Sequence, residues 1–238
     1  MKADLRLRIY SAISVVLASL LGRYRTKLFF ERNYWRWQRL KEGELQNAHY
    51  PYFYTTAFGL TEEDYRDKDI LDIGCGPRGS LDWLENARSR TGIDPLAETY
   101  LRMNPQLKMR MVAAAAEEMP FSDSAFDFVT CFNALDHVDN LEASLMEIKR
   151  VLRAGGQLLI ITDIHDVPAI CEPTVIDWNL GDQLSDSFDV LEEKRLQRRE
   201  RIYESVREAV PYKSSSGEAY GLLMLHLQKK EGPGEGAK

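Results

Sequence analysis

The sequence predicts an α/β fold: a doubly wound, mostly parallel sheet of seven strands, the last one antiparallel, behind a helical N-terminal extension rich in rings and basic residues. Three observations predict it. From residue 69 onward, short apolar runs alternate with amphipathic stretches. Strands separated by helices imply a parallel sheet with helices on both faces. A glycine-rich turn follows the first run directly, and 12 of the 24 aromatic residues fall within the first 58 positions.

The elements follow in order. Residues 9–22 carry no charge. As a helix they would reach about 21 Å, short of the roughly 30 Å hydrocarbon core of a bilayer. Ile9, Ile13, Val16, Leu17 and Leu20 fall on one helical stripe. Lys2, Arg6 and Arg8 imitate the start of a signal peptide, but Arg23 and Arg25 follow at once without a small-residue cleavage site, which argues against secretion. The rings from Tyr10 to Phe58, with Tyr34-Trp35-Arg36-Trp37 among them, suit helices that pack on the sheet, a cap over a ligand cleft, or a membrane-surface patch. Ile70–Ile73 is the first strand and 79–88 reads as a helix; 90–94, 109–113 and 126–132 are the next three strands. Residues 140–153 form a helix with Leu141, Leu145, Ile148, Val151 and Leu152 on its buried side, broken by Ala154-Gly155-Gly156. Leu158–Ile161 is a buried fifth strand, and Phe188–Leu191 and Leu222–Leu227 are the last two. The charged stretch 192–210 is helical or irregular. The tail, 231–238, has the composition of a disordered segment. The organisation is thus an extension over 1–60, a principal domain over 61–230, and the tail.

A chain of 238 residues buries roughly 70–75% of its unfolded surface and needs no metal or disulfide staple. Three scattered cysteines, Cys75, Cys131 and Cys171, point to a reducing, cytoplasmic compartment. Charge is uneven: residues 1–41 hold ten Lys and Arg against Asp4 and Glu31, a balance of +8. The whole chain carries −6, which leaves −14 on residues 42–238. So acidic a body is a poor match to a polyphosphate backbone, and no nucleic-acid partner is expected. The basic start suits peripheral contact with an anionic membrane, including the inner membrane surface.

The strongest chemical signal is Asp69-Ile-Leu-Asp-Ile-Gly-Cys-Gly-Pro-Arg-Gly-Ser-Leu81. Gly74, Gly76 and Gly79 permit a tight turn at which the backbone meets a ligand closely. Their spacing fits the Rossmann-like dinucleotide fingerprint, and Asp94, 20 residues after Gly74, stands where a ribose diol is held. An NAD-dependent oxidoreductase is therefore one reading. Asp72 opposes it. A carboxylate beside a diphosphate is repelled by about 1 kcal/mol at 4 Å in water and by more where desolvated, whereas a cationic sulfonium nucleoside is attracted. As a purely structural alternative, Asp72 caps the following helix.

Here the chain resembles the class I S-adenosylmethionine-dependent methyltransferases, in particular the subgroup acting on small metabolites, sugars and lipid-like acceptors. The likeness rests on Leu71–Gly79, Thr91–Leu96, Ala116–Phe121 running into Phe126–Val129, and Asn133–Val138 followed by Glu147–Gly156, in that order. It implies S-adenosyl-L-methionine as cofactor. Asp72, Gly74 and Gly76 would line its methionine part, with Gly79 closing the turn. Asp94 would take both ribose hydroxyls. Pro95 and Leu96 would pack on the adenine face, and Ala116 and Glu117 would meet its edge. Asn133 and Leu135 would border the sulfonium and the acceptor. Two departures stand out: Ala115 replaces the family's common Asp, and Pro77-Arg78 delays the third glycine. Arg78 would either reach an acidic group of the acceptor or point to the surface.

Because the sulfonium is already activated, in-line alignment of the acceptor can supply several kcal/mol of the barrier. His137 is the candidate general base, with Asp136 orienting it or acting as the base; the bland alternative is that both cap the next turn. His165, at the end of the fifth strand, is a second candidate. His49 and His226 read as structural. No His, Cys or carboxylate cluster has metal-ligand spacing, so no metal is expected. Residues 164–187 are a loop-rich insertion placed to recognise an acceptor. A non-catalytic binding protein that keeps this fold is the remaining alternative. The acceptor, the methylated atom and the oligomeric state are not encoded in any motif.

Overall fold

The structure, a computed structural model, describes residues 16–213 and 220–231. Its sheet has seven strands: β1 (Asp69–Ile73), β2 (Ser89–Ile93), β3 (Arg110–Val112), β4 (Phe126–Phe132), β5 (Leu152–Ile164), β6 (Phe188–Leu196) and β7 (Gly221–Lys229). They lie in the order β3-β2-β1-β4-β5-β7-β6. β1 pairs in parallel with β2 and β4, β2 with β3, and β4 with β5. β7 runs antiparallel to both β5 and β6, so it is the one reversed strand. The chain order reverses between β1 and β4, and ligands of open α/β sheets bind in the crevice at such a point, outside the carboxyl ends of the strands.

The helices that frame the sheet among the described residues are α1 (Arg23–Glu42), α2 (Tyr50–Tyr54), α3 (Ala97–Met103), α4 (Leu141–Val151), α5 (Leu180–Leu184) and α6 (Ile202–Glu208), and residues 16–21 are helical too. One core, with Leu71, Val129, Leu158, Ile160, Leu223 and Leu225 from the strands, is closed by Ile148 and Val151 of α4. The opposite core gathers Ile70, Phe128, Leu159, Ile161 and Met224 under Tyr50, Phe53, Tyr54, Phe58 and Tyr65. Phe53, Tyr54 and Tyr65 are at most 1% exposed, and each such side chain contributes about 1.5–3 kcal/mol by burial. The second half of the aromatic extension is therefore the cover of one sheet face.

Three elements differ from the sequence reading. Residues 79–88 form successive turns rather than a helix. Their carbonyls are committed elsewhere: Ser80 O accepts from the Trp83 indole (2.8 Å) and Asp82 O from the Arg90 guanidinium (2.9 Å). The Asp82 carboxylate caps the Lys108 and Met109 amides instead of a helix start. The helix before β5 stops at Val151, ahead of the Gly155-Gly156 pair, which lies within β5. Within 192–210, β6 continues to Leu196 and α6 follows; charged, outward-facing residues such as Glu193 and Arg195 suit the edge of the sheet, which among the described residues only a bridge from Leu196 to Pro211 covers at its end. The tail beyond Glu231 and residues 1–15, with the start of the 9–22 segment, lie outside the described residues. Among the described residues no helix is long and apolar enough to cross a membrane.

Candidate functional site

The carboxyl ends of β1, β2 and β4 converge on the glycine turn. Gly74 has φ 68°, and a Cβ there would fall on the Ala134 side chain. Its amide and that of Cys75 both donate to Ile93 O, at 2.9 and 3.3 Å. Gly76, at φ 58°, faces Trp35 of α1, whose ring would lie 3.4 Å from an added Cβ. Gly79, at φ 72°, packs so closely on Asp82 and Leu107 that a Cβ would sit 2.5 Å from Asp82 Oδ2. All three glycines are needed for backbone reasons.

Asp72 lies beneath this turn, 2% exposed. It accepts hydrogen bonds from Tyr54 Oη (3.1 Å), Thr130 Oγ1 (2.6 Å) and the Ser80 hydroxyl. Burial pushes its carboxyl up to about 6, against the pull of those three donors. It is thus a shielded, mostly ionised group at neutral pH rather than an open one, and it caps no helix. Asp94 closes β2. Its Oδ1 accepts the Leu96 amide at 2.8 Å, and burial raises it to about 7 despite that bond, with Glu31 adding to the rise. Pro95 is exposed, while Leu96 begins the turn into α3.

Ala116 is buried beside Val138 and Met119 in the core cluster. Glu117 reaches across to the β4 side, accepting the Asp139 and Asn140 amides at 2.7 and 3.2 Å. Asn133 leaves β4 exposed at φ 53°, its amide on Ile161 O at 2.7 Å. Leu135 is fully buried in the core. Asp136 is also fully buried, and among the described residues neither carboxylate oxygen has a hydrogen-bond partner; burial raises it to about 6. His137 stands between acids: Nδ1 is 3.4 Å from Glu31 Oε1, and Nε2 is 4.0 Å from Asp136 Oδ1. Burial pulls the imidazole down, but Glu31 and Asp136 outweigh it and lift it to about 9, so it holds its proton at neutral pH. His165 faces Val167 O through Nδ1 at 3.0 Å, and its buried Nε2 is unpartnered.

Helix α1 lies over this edge. Lys27 Nζ donates to His137 O (2.9 Å) and pairs with Asp139 (3.1 Å), Glu31 meets His137, and Trp35 covers Gly76. Arg78 is pinned there too: its guanidinium makes two 2.7 Å bonds to Glu42, one of 2.9 Å to Gln46 O, and lies 5.3 Å from the Trp35 ring centre. It therefore neither points freely to the surface nor stands open to an acidic ligand. Glu31, Trp35, Tyr54 and Glu172 are neighbours of the site that sequence reasoning missed. Glu31 and Trp35 recur at a four-residue interval after Lys27, a stripe that could have flagged one face of a helix; Glu172 lies far along the chain with no such signal.

Residues 71–160 match the family described as a methyltransferase domain. A sterol 4-C-methyltransferase of Caenorhabditis elegans is 34% identical over 98 residues, covering 38% of this chain and 29% of that protein. A malonyl-[acyl-carrier protein] O-methyltransferase of Enterobacter lignolyticus is 34% identical over 95 residues, covering 39% and 38%. Across eight such curated relatives, the aligned part spans between 29% and 51% of their length. Among solved structures, the geranyl diphosphate C-methyltransferase of Streptomyces coelicolor superposes with a TM-score of 0.56 at 16% identity, over 73% of this chain and 76% of that one. At that identity the likeness is one of fold, and the fold is the sheet order described above. Sequence match and sheet agree: residues 71–160 resemble a methyltransferase domain, and the fold that carries them is shared with solved methyltransferases.

Proposed function

We propose that the chain binds S-adenosyl-L-methionine along the carboxyl edge of β1, β2 and β4 and transfers its methyl group to a small-molecule, sugar or lipid-like acceptor. The observation that carries this reading is the combination of a buried carboxylate under the glycine turn with the absence of a helix after it. A dinucleotide's diphosphate needs helix amides and their dipole. Here 79–88 are turns, the Gly74 and Cys75 amides are spent on Ile93 O, and Asp72 repels a phosphate. The NAD alternative thus loses its anion site, while a sulfonium nucleoside gains an anionic neighbour.

The residues present fit that cofactor in parts. In this proposal Gly74, Gly76 and Gly79 shape the turn around its methionine end, with Asp72 supplying negative charge beneath it. Asp94 takes the ribose diol, Pro95 and Leu96 flank the adenine, and Ala116 and Glu117 meet its edge. Glu117 does so while capping the 139–140 amides. Asn133 and Leu135 form the rim and the floor of the acceptor side. When bound, the cofactor supplies an activated methyl cation equivalent, so the protein's task is to align the acceptor and exclude water. His137 and Asp136 are assigned to the acceptor side. Since Glu31 and Asp136 hold a proton on His137, alignment carries the larger share of the rate and His137 acts chiefly as a positive, positioning group. Residues 1–41 would place the enzyme at an anionic membrane from the cytoplasmic side, with 1–60 as cap and 61–230 as the domain it serves.

Calorimetry with S-adenosylhomocysteine and with NAD tests the cofactor assignment. Micromolar binding of the first and none of the second is expected; the reverse overturns it. Incubation with methyl-labelled cofactor and a lipid and metabolite extract, read by mass spectrometry, tests transfer. Cofactor binding without methyl incorporation would leave the non-catalytic reading in its place.

A further inference from the structure

The geometry points to a site for one divalent transition-metal ion formed by Asp136, His137 and Glu172. One ligand atom from each of the three lies within 4.8 Å of the others. Two of these residues are adjacent and the third is 35 positions away, so no spacing rule on the sequence could find the set.

The cluster differs from an ordinary group of acids because Asp136 is 0% exposed and, among the described residues, neither of its oxygens has a hydrogen-bond partner. Buried carboxylates are otherwise paired, hydrogen-bonded or bound to metal, since an isolated one is strongly disfavoured. Elsewhere in this fold the rule is kept: Asp72 has three hydroxyl donors and Asp163 has Arg198. Asp136 has His137 Nε2 at 4.0 Å, beyond hydrogen-bond reach but within the span that an ion between them would fill.

His137 is oriented as a ligand would be, with the ion taking the place of the proton its Nε2 holds when no metal is bound. Its Nδ1 faces the Glu31 carboxylate at 3.4 Å, leaving Nε2 toward Asp136. Metal-bound histidines characteristically give their second ring N–H to a carboxylate or carbonyl, which fixes the ring and raises its basicity. Glu172 is brought in by a fixed strap. The Thr174 amide donates to Asp136 O (3.1 Å) and its hydroxyl to Val138 O (2.6 Å), while the Ala169 amide closes on Glu172 O (2.8 Å). Two carboxylates and one imidazole suit Mn²⁺, Fe²⁺ or Zn²⁺ better than the all-oxygen preference of Ca²⁺ or the thiolate preference of softer ions. Three protein ligands also leave coordination positions open.

The test uses the full chain, stripped of metal with chelator and titrated with Mn²⁺ at 0.5 M NaCl, which screens diffuse attraction to the acidic body. Loss of the free-ion electron paramagnetic resonance signal counts bound Mn²⁺, and Zn²⁺ competes for the same site. One ion per chain is expected. Asp136→Asn and Glu172→Gln should each weaken binding at least tenfold, and Glu31→Gln, which touches only the outer carboxylate, by about 10–100-fold. Circular dichroism verifies each fold; if Asp136→Asn does not fold, Glu172→Gln, on the half-buried strap, decides. No saturable uptake of Mn²⁺ or Zn²⁺ up to millimolar concentration, or wild-type affinity in Glu172→Gln, overturns the site. No cofactor or acceptor is present in this assay, so its outcome is independent of methyl transfer.

Discussion

At the scale of the residue, two carboxylates shifted in the same direction lead to separate predictions. Asp94 is raised to about 7, chiefly by burial. In its proposed role only the ionised form would accept both ribose hydroxyls, so affinity for S-adenosylhomocysteine should climb as pH rises through about 7 and then level. Asp94→Asn should flatten that profile. Asp94→Ala, which removes both acceptors, should weaken binding about 10–100-fold, the value of one or two charge-assisted hydrogen bonds. Calorimetry from pH 5.5 to 8.5 checks both; a pH-independent wild type would reject the assignment. Asp72 affects stability instead. Its carboxyl binds a proton up to about 6 when folded but only to an ordinary aspartate value when unfolded. Between about pH 4 and 6 the folded state therefore holds more protons, and stability falls as pH rises through that window. Asp136 and Asp94 add to the same slope, so Asp72→Asn should remove only the share of Asp72, about 3 kcal/mol, in denaturant melts at pH 4, 5, 6 and 7, and an unchanged slope would place the titration elsewhere. Asp72, Asp94 and the three glycines could be singled out from sequence, because charge and backbone freedom are properties of one residue and its near neighbours. The donors to Asp72 could not. Thr130 is 58 positions away and Tyr54 is 18 positions before it, and a hydrogen bond across a sheet leaves no periodic mark.

At the scale of the element, apolar runs located β1, β4, β5 and β7, since a strand buried on both faces is a contiguous hydrophobic segment, whereas the partly exposed β2, β3 and β6 were found only as short runs between turns. Boundaries failed where side chains competed with the backbone. Residues 79–88 had a helix-like composition, yet Asp82, Trp83 and Arg90 claim the groups a helix would have paired. The glycine turn itself offers a graded test. Gly74→Ala meets the Ala134 side chain and a left-handed backbone together, whereas Gly76→Ala has the backbone problem with its Cβ at 3.4 Å from a movable ring. The second should lose about 1–2 kcal/mol, the general cost of a left-handed L-residue, and the first clearly more. Thermal melts that rank them equally would mean the turn relaxes as a unit. The stripe of α1 that faces the site, Lys27, Glu31 and Trp35, repeats at helical spacing and could be read as a face, but only the fold shows what that face covers.

At the scale of the whole molecule, the charge division seen in sequence becomes a division in space. The inner stripe of α1 is spent on the site, while Tyr24, Phe29, Tyr34, Trp37 and Leu40 are 38–84% exposed beside Arg25, Arg36, Arg39 and Lys41. A cavity between α1 and α3 is lined by Arg32, Arg36, Arg39 and Arg102 with Leu40 and Met103, four guanidiniums around one space. Exposed rings and basic residues interleaved along one helix suit an anionic bilayer, where each basic residue near the surface adds about 1 kcal/mol and the rings enter the headgroup layer. The acidic remainder of the chain is repelled by the same surface, which should orient the carboxyl edge of the sheet toward the lipid. Vesicles of anionic phospholipid should therefore co-sediment the full chain at 0.15 M NaCl, and neutral vesicles should not. Raising the salt to 0.5 M should weaken binding several-fold without abolishing it, because the charge term is screened and the ring burial is not. Trp37→Ser with Leu40→Ser should remove the salt-resistant part, and Arg36→Gln with Arg39→Gln the salt-sensitive part. Equal sedimentation with neutral and anionic vesicles, or a double variant of either kind that binds like wild type, would mean that this face meets something other than a charged membrane.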